Sequence, residues 1–460
     1  MTETVKIVSP VDGRVYAERP VASGAEIETA VAKAKAARQA WGEVTVRERA
    51  KFLNHFVDAL LAKNDDIVPE LAWQMGRPIR FGGERKGVEE RSRYMIDIAE
   101  SALATVEKTG KEGFKRYITR EPLGTVMVIA PWNYPFLTAV NSIVPGLMAG
   151  NAVILKHASQ TLLVGDRFAE AMNAAGLPDG LFQNLVLNHA DTEQLIGSGE
   201  IDHINFTGSV EGGKRIERAA AGTFATLGLE LGGKDPAYVR ADAKLDYAVE
   251  NLVDGSFFNS GQSCCGVERI YVHADVYDKF VEGFVENAKG WKLGNPLDPD
   301  TIVGPMAAPK FADQVRGQTL EALRKGAKSH LNTKHDLDEE SSPYLAPEVL
   351  TNVNHQMAVM REESFGPVVG IMKVADDEEA ITLMNDSPYG LTASIWTEDL
   401  DQAAKLGARV ETGTVFANRC DYLDPALVWT GVKDTGKGGA LSEIGYANLS
   451  QPKSYHFKIV

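Results

Sequence analysis

Residues 124–131, GTVMVIAP, and residues 151–156, NAVILK, are short apolar runs bounded by turn-forming residues. Three similar runs follow: FQNLVL (182–187), HINFTGS (203–209) and LGLELGG (227–233). Helical segments are predicted between several of these runs, around residues 161–174, 191–197 and 210–219. Strands that alternate with helices predict a parallel sheet with crossover helices, and such sheets bind ligands at the carboxyl ends of their strands.

The chain on either side of this region extends the α/β pattern. Ser23 and Glu26 form an S-x-x-E capping box that predicts the start of an N-terminal helix. The stretch from about 235 to 418 again shows strands followed by helices and predicts a second α/β domain. The tail PKSYHFKIV (452–460) alternates weakly and predicts an edge strand that could pair with another subunit.

Composition excludes several classes of function. The net charge of −15 argues against nucleic acid or an anionic membrane as the main partner. No stretch approaches the roughly 20 apolar residues that a membrane span needs, and no signal peptide is recognised. The only cysteines are Cys264, Cys265 and Cys420, which predicts a reducing cytoplasm, and no metal-site spacing is found.

Cys264 and Glu230 are the candidate reactive residues. Cys264 lies in FFNSGQSCC (257–265), a polar segment with a glycine that favours a loop. A thiolate there could attack a carbonyl carbon. The alternative interpretation is a buried structural thiol. Cys265 is interpreted as a packing residue. Glu230, before two glycines, could activate water with a pKa raised by partial burial, or could instead accept from backbone amides. Together they predict covalent chemistry that ends in hydrolysis.

Three further positions extend the candidate site. Asn133 lies between prolines in PWNYPF (131–136), and its amide could donate to an oxyanion or form an Asx turn. INFTGSVEGGKR (204–215) predicts a strand, a turn and a helix start that could bind pyrophosphate, although a G-x-G-x-x-G spacing is absent. Lys156 ends a strand and could bind cofactor hydroxyls or phosphate, or be a surface lysine.

Taken together, these motifs resemble those of the aldehyde dehydrogenase superfamily, of the NAD(P)-dependent, hydrolytic type. The resemblance covers nearly the whole chain and keeps the family's order. The motifs that carry it are PWNYPF, GNAVILK, FTGS, LELGGKDP, GQSCC, EESFGPV and the Gly-Lys-Gly pattern in TGVKDTGKG.

The resemblance implies a mechanism. Cys264 would attack the aldehyde to form a thiohemiacetal, and its oxyanion would be held by the Asn133 side chain and the backbone N–H of Cys264. Hydride transfer to NAD or NADP would leave a thioester, and Glu230 would activate the water that hydrolyses it. The implied cofactor-binding residues are Trp132, Lys156, Ser159, Gly208, Ser209, Glu363 and Phe365.

The segment after the second strand departs from the family pattern. The family often has a glutamate that binds the adenosine ribose and repels a 2′-phosphate, whereas this chain reads Lys156, His157, Ala158, Ser159. Ser159 removes that repulsion, so NADP is expected to be used, alone or alongside NAD. His157 has no clear functional interpretation.

The substrate funnel is also predicted by alignment to the family. The mixture of aromatic and polar residues predicts a small or medium aldehyde with a polar tail: Arg419 would suit a carboxylate, and Asp421 an amine or hydroxyl. The predicted lining residues are Tyr134, Thr138, Asn141, Phe258, Arg419, Asp421, Tyr422 and Trp429.

The family's architecture implies two Rossmann-like three-layer α/β domains and a small bridging β-sheet that joins subunits into a homodimer or homotetramer. The expected cofactor-binding domain comprises 1–104 and 123–232, the catalytic domain 233–440, and the oligomerisation segments 105–122 and 441–460. Two other interpretations stay open from the sequence: a CoA-acylating semialdehyde dehydrogenase, against which Glu230 argues, and a catalytically idle structural or binding member.

Overall fold

The computed structural model describes residues 3–331 and 341–460. The chain up to residue 122 forms β1 Thr4–Val8, β2 Val15–Pro20, α1 Gly24–Gly42, α2 Val46–Leu61, α3 Asn64–Met75, α4 Arg85–Ala102, β3 Val106–Glu107 and β4 Phe114–Pro122. The next elements are β5 Thr125–Ile129, α5 Pro135–Met148, β6 Ala152–Lys156, α6 Leu162–Ala174, β7 Phe182–Asn184, α7 His189–Gly197, β8 His203–Thr207, α8 Val210–Ala220, β9 Thr226–Glu230 and β10 Asp235–Val239.

The remaining described elements complete the chain. They are α9 Leu245–Phe257, β11 Val267–His273, α10 Tyr277–Ala288, α11 Pro309–Arg324, β12 Lys328–Ser329, β13 Glu348–Thr351, α12 Ala358–Arg361, β14 Val368–Val374, α13 Asp377–Asn385, β15 Tyr389–Gly390, β16 Thr392–Trp396, α14 Leu400–Gly407, β17 Thr414–Ala417, β18 Val432–Lys433, β19 Gly436–Lys437, α15 Ser442–Asn448 and β20 Ser450–Lys458. None of the helices described is both long and apolar enough to cross a bilayer.

The apolar runs of the sequence form one sheet, in the strand order β19-β9-β8-β5-β6-β7. β5, β6, β7, β8 and β9 pair in parallel, whereas the short β19 is antiparallel to β9. β5 and β6 are buried along their whole length, as expected for central strands covered by helices on both faces. The predicted parallel sheet with crossover helices is confirmed.

The predicted second α/β unit is built on a seven-stranded sheet in the order β12-β13-β14-β11-β10-β16-β17. Its strands pair in parallel except β12 with β13, so the expected strand–helix texture is confirmed there too. A separate antiparallel sheet, β20-β4-β3, places the tail strand at an edge as predicted. The domain boundaries stay a prediction; β19, in the range assigned to the catalytic domain, pairs with β9 of the first sheet.

The predicted N-terminal helix also begins where the sequence indicates. The Ser23 hydroxyl accepts from the Glu26 backbone N–H, and the Glu26 carboxylate accepts from the Ser23 backbone N–H. This reciprocal cap satisfies backbone donors that have no partner in the first helical turn. The helix buries Ala30, Val31, Ala34 and Trp41 in the core around the first sheet.

Candidate active site

The candidate site lies at the carboxyl edge of the first sheet, where adjacent strands end together. β6 ends at Lys156, which pairs with Ile129 at the end of β5, and the chain then continues from β5 to Asn133. β9 ends at Glu230, which pairs with Thr207 at the end of β8. Parallel pairing therefore brings residues that are far apart in sequence to one edge.

The cysteine loop is tied directly to the loop that carries Asn133. The Asn133 side-chain amide donates to the Gln262 carbonyl at 3.2 Å, and the Asn259 amide donates to the carbonyls of Asn133 and Gln262, each at 3.2 Å. Asn259 and Ser260 hold left-handed backbone angles, with φ of 52° and 58°. These bonds and the two left-handed residues turn the chain sharply just before Cys264.

A buried ion pair supports the same loop from the N-terminal region. Arg77 donates to the Asn133 carbonyl at 2.5 Å and forms an ion pair with Glu84. The Glu84 carboxylate accepts from the backbone N–H groups of Phe136 at 3.0 Å and Leu137 at 2.7 Å, in the first turn of α5. The pair thus holds both the Asn133 backbone and the start of α5, a role with no motif in the sequence.

A cavity of about 480 Å³ opens beside Cys264 and Glu230. Most of the predicted funnel residues line this one cavity: Tyr134, Thr138, Asn141, Phe258, Asp421, Tyr422 and Trp429. Its wall also includes residues that the sequence analysis did not select: Lys86, Gly87, Glu90, Arg91, Leu137, Thr207, Leu231, Asp254, Ser263, Cys265, Leu391 and Leu423. The structure therefore places a thiol, a carboxyl group and a mixed polar and aromatic wall around one space.

Arg419 is the predicted funnel residue that does not line this cavity. Its side chain is turned away and stacks on Tyr422, with the guanidinium carbon 3.5 Å from the ring centroid. Residue 419 is exposed, and a cation over an aromatic face keeps both its hydration and a favourable ring contact.

Burial raises the pKa of Glu230 to about 7, because the charged carboxylate loses hydration. The Thr207 hydroxyl lies 3.3 Å away and donates to it, and the nearby Arg91 cation also favours the charged form, so both oppose the effect of burial. A carboxyl group with a pKa near neutrality can accept a proton from water and release it again, which is the property a general base needs.

Asp421 is engaged by neighbours of the nucleophile. One carboxylate oxygen accepts from the Ser263 hydroxyl at 2.7 Å and from the Cys265 thiol at 2.9 Å. The hydrogen bond with Cys264, together with burial, raises the pKa of Cys265, and burial raises the pKa of Asp421. Cys265 is buried in the core around the first sheet, in line with its interpretation as a packing residue. Its thiol also donates to the Asp421 carboxylate, the group that was expected to bind a substrate amine or hydroxyl.

Lys156 and Ser209 fit the phosphate and ribose of a dinucleotide. Lys156 is buried, and its ammonium makes no hydrogen bond or ion pair within residues 3–331 and 341–460. Ser209 caps α8, accepting from the Gly212 N–H, and leaves a helix N-terminus beside it. Gly208 precedes this cap and donates its N–H to the Glu230 carbonyl. Ser159, exposed at a turn, lies three residues beyond Lys156.

Glu363 and Phe365, the residues predicted to contact the nicotinamide half of the cofactor, are held by a second set of contacts. The Glu363 carboxylate accepts from the Gly233 N–H at 2.9 Å, and a Cβ at Gly232 would lie 2.3 Å from that carboxylate. Burial and the neighbouring Glu268 charge raise the pKa of Glu363 to about 8. Phe365, with φ of 50°, meets Trp132 edge to face at a centroid distance of 5.5 Å. The residues present fit a dinucleotide, because the unpaired ammonium needs an anion or hydroxyl and the glycine leaves space.

Comparison with known proteins places the chain in a family. The model of the aldehyde dehydrogenase family matches residues 1–455. The chain belongs to the aldehyde dehydrogenase family. The prediction of an NAD(P)-dependent oxidoreductase that converts aldehydes to acids is confirmed at this level, in preference to the CoA-acylating and idle alternatives.

Known aldehyde dehydrogenases align with this chain over nearly its whole length. A succinate-semialdehyde dehydrogenase [NADP(+)] of Mycobacterium avium is 34% identical over 98% of this chain and 96% of its own. Succinate semialdehyde dehydrogenase [NAD(P)+] Sad of Escherichia coli is 34% identical over 95% of this chain and 94% of its own. The solved structure of an NADP-dependent glyceraldehyde-3-phosphate dehydrogenase from Bacillus halodurans, in complex with NADP, has a TM-score of 0.93 and 32% identity, covering 100% of this chain and 96% of that one. The predicted fold class is thereby confirmed.

The aldehyde dehydrogenase also contains positions for which sequence reasoning found no role. His157 is buried; its Nδ1 accepts from the Ala158 N–H at 2.9 Å, so the proton is on Nε2, which donates to the Pro135 carbonyl at 3.2 Å. Burial lowers its pKa to about 4, so the ring stays neutral and links the end of β6 to the start of α5. Phe311, on α11, stacks on Trp132 at 5.0 Å. Neither contact follows from local periodicity.

Proposed function

We propose that this aldehyde dehydrogenase uses Cys264 as nucleophile, Glu230 as general base and Asn133 as oxyanion donor. The observation that supports the proposal is the single cavity lined by Cys264 and Glu230, beside a loop in which the Asn133 amide is bound to Gln262. The sulfur forms a bond to the aldehyde carbon, and the carbonyl oxygen gains the negative charge that the Asn133 N–H groups stabilise.

A bound NAD or NADP would supply the hydride acceptor, and loss of hydride from the thiohemiacetal carbon would leave a thioester on Cys264. Glu230 then takes a proton from water, and the resulting hydroxide attacks the thioester carbon. The C–S bond breaks, the Cys264 sulfur regains its charge, and the acid is released. Trp132, Lys156, Ser159, Gly208, Ser209, Glu363 and Phe365 are the proposed cofactor contacts.

We propose NADP as an accepted cofactor, with Ser159 as the residue that permits it. A carboxylate at that position would repel a 2′-phosphate, whereas a serine hydroxyl does not. Relatives named as NADP-dependent or NAD(P)-dependent support this proposal.

The proposed location is the cytoplasm, in line with three free cysteines.

The experiment that tests the function is a panel of aldehydes assayed with each cofactor by the absorbance of reduced nicotinamide. Oxidation of at least one aldehyde with production of its acid is expected, together with loss of activity in Cys264→Ser. An active Cys264→Ser variant would remove Cys264 from its proposed role. A preference for NAD above about 100-fold in kcat/KM, equivalent to about 2.7 kcal/mol, would reject NADP as a cofactor.

A further inference from the structure

Arg91, on α4, carries a charge into the candidate substrate cavity and forms no direct ion pair with a carboxylate among the described residues. It lines the cavity and is only 9% exposed. Its Nη1 donates to the Leu137 carbonyl at 3.2 Å and lies 3.5 Å from the Asn141 side-chain oxygen. Within the described residues the guanidinium forms no ion pair, and its Nε and Nη2 have no hydrogen-bond acceptor.

The other buried arginines show that this arrangement is unusual in the molecule. Arg77 pairs with Glu84, Arg49 donates to several backbone carbonyls, and Arg269 donates to the carbonyls of Lys234, Leu383 and Met384. A buried cation without an anion or enough acceptors is costly, so an unfilled donor set that faces a cavity indicates a ligand.

Asn141 lies beside Arg91, and its side-chain oxygen is 3.5 Å from the Arg91 guanidinium. It is 2% exposed, and its Nδ2 is a buried nitrogen without a hydrogen-bond partner among the described residues. Since the amide oxygen faces the guanidinium, the NH2 group points elsewhere. Both side chains line the same cavity as Cys264. A guanidinium fork with open N–H groups matches the geometry of a carboxylate.

We propose that Arg91, positioned beside Asn141, binds a carboxylate at the far end of the aldehyde substrate and so selects semialdehydes, aldehydes with a terminal carboxylate. This inference rests on the proposed function, because the same substrate must present its carbonyl carbon to Cys264. The relatives named as succinate-semialdehyde dehydrogenases are in line with this class of substrate. Arg91 takes the place that the sequence analysis assigned to Arg419.

The acidic groups around the cavity do not cancel this preference. Asp421 is bound by Ser263 and Cys265, and burial raises the pKa of Asp421 and, to about 6, that of Asp254. Glu90 is exposed and accepts from the Tyr422 hydroxyl. Lys86, also exposed, adds a second cation to the wall. Glu230 belongs to the reacting end of the cavity.

The test compares succinate semialdehyde with butanal, which has the same number of carbons and lacks the carboxylate. The unmodified enzyme is expected to have the higher kcat/KM for succinate semialdehyde. Arg91→Met is expected to lower that value about 10- to 100-fold, mainly through KM, because charge-assisted hydrogen bonds are lost. The kcat/KM for butanal is expected to fall by less, because only the effect of Arg91 on the pKa of Glu230 is shared by the two substrates.

Two further variants complete the design. Asn141→Asp keeps the shape of the side chain but gives Arg91 an internal counter-ion, so it is expected to lower kcat/KM for succinate semialdehyde selectively as well. Arg93→Met is the matched control on the same helix, since Arg93 pairs with Asp58 and Glu89 outside the cavity; it is expected to leave both substrates unaffected.

Several outcomes would overturn the inference. One is an unmodified enzyme that oxidises butanal as well as or better than succinate semialdehyde, a result that needs no variant to fold. Another is an equal loss for both substrates in Arg91→Met, which would mean that Arg91 acts on the reacting groups. If the unmodified enzyme oxidises no aldehyde with either cofactor, the proposed function itself fails, and that result is distinct from a lost preference.

Discussion

Glu230 combines a backbone position fixed by strand β9 with a side chain in the wall of the cavity. As the last residue of β9 it has a fixed backbone, and its side chain reaches the cavity that Cys264 lines. Burial raises its pKa to about 7, while Thr207 and Arg91 moderate that effect. The resulting carboxyl group is poised between its two protonation states at neutral pH, which suits proton transfer from water in the second half of the reaction.

Replacement of Glu230 by Gln is expected to separate acylation from deacylation. The variant should still produce a burst of reduced nicotinamide of about one equivalent per active site and then stall, because the amide cannot accept a proton from water. Rapid-mixing kinetics measure the burst and the later rate. Unchanged steady-state turnover would exclude Glu230 as the base.

The pH dependence of deacylation follows from the same raised pKa. The base form is the carboxylate, so the rate should be full above pH 7 and should fall as pH drops through about 7, where Glu230 gains a proton. Turnover under conditions in which deacylation limits the rate measures this profile. A rate that stays constant down to about pH 5 would contradict it, and the residual rate of Glu230→Gln should lack this inflection.

At the scale of elements, the start of α5 depends on a contact from the chain segment before α4. Glu84 accepts from the first-turn N–H groups of Phe136 and Leu137 and pairs with Arg77, which in turn holds the Asn133 carbonyl. Both charged side chains are 3% exposed. One ion pair therefore links the N-terminal region, the start of α5 and Asn133, the proposed oxyanion donor.

Glu84→Gln is expected to reduce the free energy of unfolding by about 3–5 kcal/mol, because Arg77 would remain buried without its counter-ion. It should also lower kcat through misplacement of Asn133, with a smaller effect on KM. Urea unfolding and steady-state kinetics measure the two effects. The control is Glu100→Gln, which removes the exposed partner of Arg47 and should cost no more than about 1 kcal/mol. Similar losses in the two variants would contradict the role given to Glu84.

At the scale of the whole molecule, the antiparallel sheet β20-β4-β3 stands apart from the two larger sheets and has β20 at its edge. Its surface is rich in aromatic residues: Tyr117 stacks on Tyr455 at 4.5 Å, and Phe457 is 51% exposed. An edge strand with exposed aromatic residues offers both hydrogen bonds and apolar area to another chain. We therefore propose that subunits associate through segments 105–122 and 441–460 in a homodimer or homotetramer.

Phe457→Asp is expected to weaken this assembly, because it places a charge where apolar area would be buried. Light scattering coupled to size-exclusion chromatography should show a smaller mass than for the unmodified protein, with circular dichroism unchanged. Leu400→Asp, another exposed apolar position but on α14 and outside both segments, serves as a comparison for nonspecific effects of an added charge. An unmodified protein that is already monomeric would contradict the proposal.

Much of the fold was determined by local sequence. The apolar runs of β5 and β6, each closed by turn residues, encode buried parallel strands by themselves, because continuous apolar residues are typical of strands covered on both faces. Positions at the ends of the parallel strands, such as Lys156 and Glu230, and the loop residues Asn133 and Cys264 then follow from order along the chain.

Only the tertiary structure decided which side chains meet around the cavity. Arg91 and Glu84 belong to an N-terminal helical region whose periodicity indicates packing alone, and Arg419 turned to the Tyr422 ring although its loop lines the cavity. Asp421 likewise found its partners in Ser263 and Cys265. Periodicity within a segment encodes its own helix or strand, whereas the neighbours of a buried charge depend on how distant segments pack.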